Sequence, residues 1–290
     1  MTPEWTSRYP DRDRLRAEVD CMAACFLEQL LESIPEGEIR GLYSKGSSNK
    51  AWESPIDYVP EVSDVDMHLW FHNDDAWRRY LQTVPQAMAI LAGVEARFRA
   101  RVPEPLHEPR PQLIVWNKLR AERDGIVHSP RSTVTVLYGE EYPRTDYSDA
   151  DSIRRYDSNN LVHDSEWAMI SGLDVIDKPG RYLWQALRPV TFRVSPTGPR
   201  VLHLLGLDTE DAWSMNRTRA TAIMRDRGLD SLADDYTDYY MSSWDYFLSG
   251  LKDTNAGRAA VAAAVRVLEQ GAAIGRDWQA ANPEPAAVAE

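Results

Sequence analysis

The stretch 39–71, IRGLYSKGSSNKAWESPIDYVPEVSDVDMHLWF, constrains this chain more than any other. A short apolar strand over 39–43 runs into Gly46-Ser47-Ser48, and a second strand opens with Asp64-Val65-Asp66. Side chains two apart on a strand share a face. Asp64 and Asp66 are therefore expected to project together, with Val65, Met67, Leu69 and Phe71 turned into the core. Two neighbouring carboxylates repel each other unless a cation lies between them. Next to a glycine–serine turn, such a pair suits a metal-loaded nucleoside triphosphate.

The flanking segments read as a mixed layout. Leu15, Val19, Met22, Cys25, Phe26 and Leu30 recur at helical spacing, and Pro35-Glu36-Gly37 ends that helix before the first strand. After the Asp-x-Asp strand, His72-Asn73-Asp74-Asp75 offers N-cap chemistry for one helix reaching about Arg101. The proline-rich 103–111 is a loop. A third strand is expected at 113–116 and a fourth at 133–138, the latter ended by Gly139. Composition shifts near Arg144, and helical patterns dominate beyond it. Asp208-Thr209-Glu210-Asp211 marks a helix start and Gly228 a stop. Further helices are expected over about 229–252 and 254–271. The expected fold class is α/β (α+β): a small mixed-sheet domain over 1–145, an all-helical substrate domain over 146–275, and a frayed tail over 276–290 whose end, 282–290, is rich in Pro and Ala.

A length of 290 residues and an apolar fraction of 43% indicate substantial cores rather than disorder. A formal charge of −12 argues against nucleic acid as a partner, because phosphate neutralisation needs clustered Lys and Arg. Cys21 and Cys25, the two cysteines, sit on one helical face and are too few for a disulfide framework. No apolar run long enough to span a membrane is present, and the N-terminal residues lack a signal-peptide pattern, so a cytoplasmic location is expected.

The Gly46-Ser47 turn followed by Asp64-Val65-Asp66 resembles the signature of the polymerase β-like nucleotidyltransferase superfamily, in which a glycine and a glycine or serine precede an Asp-x-Asp strand. The likeness covers roughly the first half of the chain. Its layout is similar to that of the bacterial aminoglycoside nucleotidyltransferases. One departure is the longer connection over 49–63, stiffened by Pro55 and Pro60.

The resemblance implies a magnesium-dependent transfer of a nucleoside monophosphate, AMP from ATP, to a hydroxyl of a small-molecule acceptor, an aminoglycoside-like antibiotic being the family-based choice. It implies Mg2+ on Asp64 and Asp66, with two ions bridging them, and ATP phosphates at Lys45, Gly46, Ser47 and Ser48. It also leaves room for a homodimer, since some relatives complete their sites across one.

Family members place a third carboxylate on the next strand, where this chain has Gln112, a neutral amide that cannot act as a base. Three accounts stand. The alignment is displaced; another carboxylate, Glu140, Glu141 or Glu166, reaches the site; or the protein binds nucleotide without turning it over. Glu140, directly after Gly139 at a strand end, is taken as the working choice.

Other features read most simply as structure. Tyr236, Tyr239, Tyr240, Trp244 and Phe247 form a helical aromatic stripe suited to a core, with stacking on a base as the alternative. Asp234, Asp235 and Asp238 form a solvated face that would also suit ammonium groups. His68 shares the face of Asp64 and Asp66 and is expected to line the site. His128 and His163 have no zinc-ligand spacing. Arg217 and Arg219 are expected to pair with Glu210 or Asp211, with phosphate contact as the alternative.

Overall fold

The computed structural model describes residues 2–122, 129–144, 147, 149–163 and 172–283. The fold is α+β: a mixed four-stranded sheet with helices, and a helical C-terminal part. The chain divides into two compact units, 3–145, and 146–290 together with the first two residues.

In the first unit, α1 (Arg12–Ser33) starts where the Asp11 carboxylate accepts the Arg14 N–H at 2.7 Å. Its Leu15, Val19, Met22, Phe26 and Leu30 are buried at helical spacing. Cys25 is buried on the same face, and its thiol is pushed up to about 11 by burial and the neighbouring Cys21.

Four strands form the sheet: β1 (Ile39–Lys45), β2 (Val65–Phe71), β3 (Pro111–Val115) and β4 (Thr135–Gly139). Their order is β3-β2-β1-β4, with β2 parallel to β3 and β1 antiparallel to both β2 and β4. β3 ends at Val115, and Trp116 opens a helix, α4 (Trp116–Glu122). Arg131–Thr133 is a 3-10 turn rather than strand.

The single helix expected after His72 is two, α2 (Ala76–Leu81) and α3 (Val84–Arg101). Pro85 explains the break. Without an N–H it fits the first turn of a new helix, where Thr83 and Gln86 close a capping box. Ile90, Val94 and Phe98 then bury one face of α3, which packs on α1.

The second unit holds α5 (Ala150–Val162), α6 (Gly172–Ile176), α7 (Trp184–Leu204), α8 (Thr209–Ser214), α9 (Arg217–Asp226), α10 (Asp230–Leu248) and α11 (Thr254–Ala281). Asp208 caps α8, accepting the Glu210 and Asp211 N–H groups, and Gly228, at φ 76°, follows α9. α11 runs past Gly271, so 276–281 is helix rather than frayed tail. Gly271 and Gly275 are there for space. A Cβ on Gly271 would meet Thr197 Cγ2 at 2.8 Å, and one on Gly275 would meet Val162 Cγ2 at 2.8 Å. The last residues, 284–290, lie outside the described ones.

The aromatic stripe of α10 is core. Tyr236, Tyr239, Tyr240 and Trp244 are all buried, and Tyr239 shares a 2.7 Å hydrogen bond with Thr191. A buried polar trio ties three elements together: His203 Nδ1 meets Asp157 Oδ2 at 2.8 Å, and its Nε2 meets Thr209 Oγ1 at 2.9 Å. Each ring nitrogen of His203 is thus satisfied, as burial demands.

Candidate functional site

Strand directions decide which residues meet. β1 ends, and β2, β3 and β4 begin, at one end of the sheet, where Lys45 pairs with Asp66, Asp66 with Gln112, and Ser44 with Thr135. Gly46–Ser48 forms a 3-10 turn at this end.

Gly46 has a φ of 81°, a left-handed conformation that favours glycine, and a Cβ there would lie 2.0 Å from Asp66 Oδ2. The Asp66 carboxylate therefore rests directly on the turn. Lys45 stands across the strand pair from Asp66, half-buried. Cross-strand partners share a face, so this ammonium and the Asp66 carboxylate lie on the same side of the sheet.

The turn is rigidly held. Trp52 Nε1 donates to the Ser47 carbonyl at 2.9 Å, and the Asn49 N–H donates to the Gly46 carbonyl at 3.1 Å. The Arg16 guanidinium donates to the Ser48 carbonyl and, at 2.7 Å, to that of Lys50. Peptides are trans, so the N–H of Ser47 points away from the engaged Gly46 carbonyl. The N–H of Ser48, a buried residue, is instead turned toward the Lys45 carbonyl by the 3-10 geometry. Ser48 Oγ donates to the Lys45 carbonyl at 2.9 Å, and Asn49 Nδ2 reaches Thr135 Oγ1 at 2.9 Å.

The long connection between turn and strand is a buried plug, with Trp52, Ile56, Tyr58, Val59 and Val62 almost wholly inside. Arg16 lies 3.7 Å from the Trp52 ring centroid, Trp52 stacks on Tyr58 at 4.3 Å, and Tyr58 Oη meets His107 Nε2 at 2.9 Å. Burial pushes His107 down to about 4. Its folded value thus lies below the unfolded one of about 6.5, and the unfolded chain takes up the extra proton between them. Stability is expected to fall as pH drops from about 6.5 towards 4, by roughly 3 kcal/mol at most. Thermal melts across that window check this. The slope should flatten in His107→Asn, and equal slopes in both proteins would contradict it.

Asp64 sits just before β2, not within it. It is nearly buried, and its Oδ1 accepts from Arg110 Nε at 2.9 Å and Nη2 at 2.6 Å. Arg110 is its neighbour by strand pairing, since the Arg110 carbonyl accepts the Val65 N–H at 3.0 Å. Gln112, in register with Asp66, has a buried Oε1 with no hydrogen-bond partner. Glu61, half-buried at a left-handed φ of 68°, stands near this group. Its carboxyl is raised by burial and by Glu108, against the lowering effect of Arg110. A non-glycine residue in this region costs on the order of 1 kcal/mol. Neither Arg110 nor Glu61 was legible from the sequence, because the parallel β2–β3 register and the left-handed turn leave no pattern of their own.

Glu140 does not join them. Its N–H donates to the Arg40 carbonyl at 2.9 Å, and Arg40 Nε donates back to its carboxylate at 2.8 Å. Counting strand residues from Arg40 to Lys45, it lies at the opposite end of the sheet, roughly 15 Å from Asp66. Glu141 is at that end too, paired with Arg131 at 2.6 Å. Glu166 and His128 lie outside the described residues. His68 is a core residue rather than a lining one: its Nδ1 meets Tyr142 Oη at 3.0 Å, and its ring stands edge-on to Trp116.

A hollow of about 460 Å³ lies at the far end of β2, bordered by Asp74, Trp77, Arg78, Asn117 and Lys118. It has no part in the turn, and its rim mixes charges of both signs. Among the described residues, no three His, Cys, Asp or Glu side chains gather closely enough to hold a metal ion by themselves. No helix among them is long and apolar enough to cross a membrane.

No protein-family model matches this chain, and no match was found among curated proteins or solved structures.

Proposed function

We propose that this protein is a magnesium-dependent nucleotidyltransferase that moves AMP from ATP to a hydroxyl of a small, aminoglycoside-like acceptor. The observation that carries this reading is the Asp66 carboxylate seated against the left-handed Gly46 of a braced Gly-Ser-Ser turn.

The residues suit a magnesium-bound triphosphate. Mg2+ prefers oxygen donors and uses one or two carboxylates together with substrate phosphates. Asp66 and the unpartnered Gln112 oxygen stand in register, and Asp64 is adjacent. When bound, the ion would offset charge on the reacting phosphate. The chain does the rest by positioning. The N–H of Ser47 would donate to a phosphate oxygen, with Lys45 adding a positive charge beside it. Braced by Arg16 and Trp52, the turn need not reorganise when nucleotide arrives.

A second reading, a nucleotide-binding protein without turnover, is favoured by Gln112, which offers no carboxylate where the resemblance calls for one. Incubation with α-labelled ATP, Mg2+ and a panel of aminoglycosides separates the two. Acceptor-dependent pyrophosphate release is the expected result. Saturable ATP binding with no release from any acceptor would favour the second.

A further inference from the structure

The geometry points to Arg110 as the residue that sets the ion count of this site, limiting it to one divalent cation on Asp66 rather than a pair bridged by both carboxylates. This rests on the proposed nucleotide site and narrows it.

Asp64 already has a cation. Two N–H groups of one guanidinium converge on its Oδ1, at 2.9 and 2.6 Å. A guanidinium stays protonated at any working pH, so this charge cannot be shed to make room for a metal. The Arg110 side chain is partly exposed, but its backbone is fixed beside Asp64. Its own backbone carbonyl is bonded to Val65, and Gln112, two residues on, pairs with Asp66. The parallel β2–β3 register thus sets Arg110 and Gln112 beside Asp64 and Asp66.

A second divalent ion bridging both acids would have to push the guanidinium off a nearly buried carboxylate, or sit within a few ångströms of it. Both options are unfavourable. Gln112 adds to the effect, supplying an oxygen beside Asp66 but no negative charge to hold a further cation. Of the acids near Arg110, Glu108 is engaged by Arg99 at 2.9 Å. Arg110 is therefore a positioning residue, acting through Asp64.

The test is a titration of Mn2+ followed by electron paramagnetic resonance, on the full chain with a saturating non-hydrolysable ATP analogue. One ion per chain is expected for the natural protein and for Arg110→Lys, which keeps the charge. Arg110→Gln, which keeps a hydrogen-bond donor without the charge, should bind a second. Two ions in the natural protein would overturn the proposal whatever the variants do, as would a single ion in folded Arg110→Gln. Asp66→Asn separates the levels: if it still binds the ion, or if the natural protein binds none, the nucleotide site itself is wrong. Loss in Asp66→Asn with two ions in the natural protein removes only the role of Arg110.

Discussion

Asp66→Asn is expected to lower nucleotidyl transfer by about a thousandfold, which corresponds to roughly 4 kcal/mol of transition-state stabilisation. The substitution is nearly isosteric, so the carboxamide can occupy the space against Gly46 that the carboxylate fills. What disappears is the charge. An amide oxygen is a poor substitute for a carboxylate toward a hard dication, and position 112 beside it already carries a neutral amide. Two amides would then face the phosphates where charge is needed. Pyrophosphate release under saturating ATP and Mg2+ reads the loss, and a melting temperature close to that of the natural protein shows that the fold is intact. Retention of more than about a tenth of the activity would contradict the role given to Asp66.

The second large effect is at Gly46. Alanine there must hold a φ of 81°, which costs an L-residue about 1–2 kcal/mol, and its Cβ would strike the Asp66 carboxylate at 2.0 Å. The carboxylate can yield only by rotating away from the turn, so strain and misplacement arrive together. Nucleotide affinity is expected to fall by about tenfold or more, with a loss of stability of about 1–2 kcal/mol. Isothermal titration with the ATP analogue and a chemical denaturation curve measure the two. Gly37→Ala is the control, because a Cβ at Gly37 meets nothing within 4 Å. Equal effects in the two variants would show that the turn has no special role.

How much of this was legible in the sequence depends on the range of the interaction. The two strands β1 and β2 and the glycine–serine turn after β1 follow from local composition and one glycine, and these were readable; their antiparallel pairing and the place of Asp64 just before β2 were not. Cross-strand information was not. Glu140 looked well placed because it closes a strand, but closing β4 puts it beside Arg40, and only the antiparallel β1–β4 register reveals that end as the wrong one. The same blindness hid Arg110, whose partner lies 46 residues away in sequence.

The helices divide in the same way. α1 was evident from its apolar stripe at helical spacing and the Pro35-Glu36-Gly37 stop, and the structure adds the Asp11 cap. α7 was not, since Pro189, Pro196 and Pro199 lie inside it and proline ordinarily breaks a helix. Twelve of its residues are buried, so packing outweighs the missing hydrogen bonds. α11 was read as ending at Gly271, whereas that glycine and Gly275 make room for Thr197 and Val162.

Crystals soaked with a non-hydrolysable ATP analogue and Mn2+ offer the most direct measurement, through the anomalous signal of the metal. The account predicts a peak within coordination distance of an Asp66 carboxylate oxygen, with the analogue's phosphates against the N–H of Ser47. A nucleotide bound with its metal away from Asp66, or phosphates lodged anywhere but this turn, would contradict it.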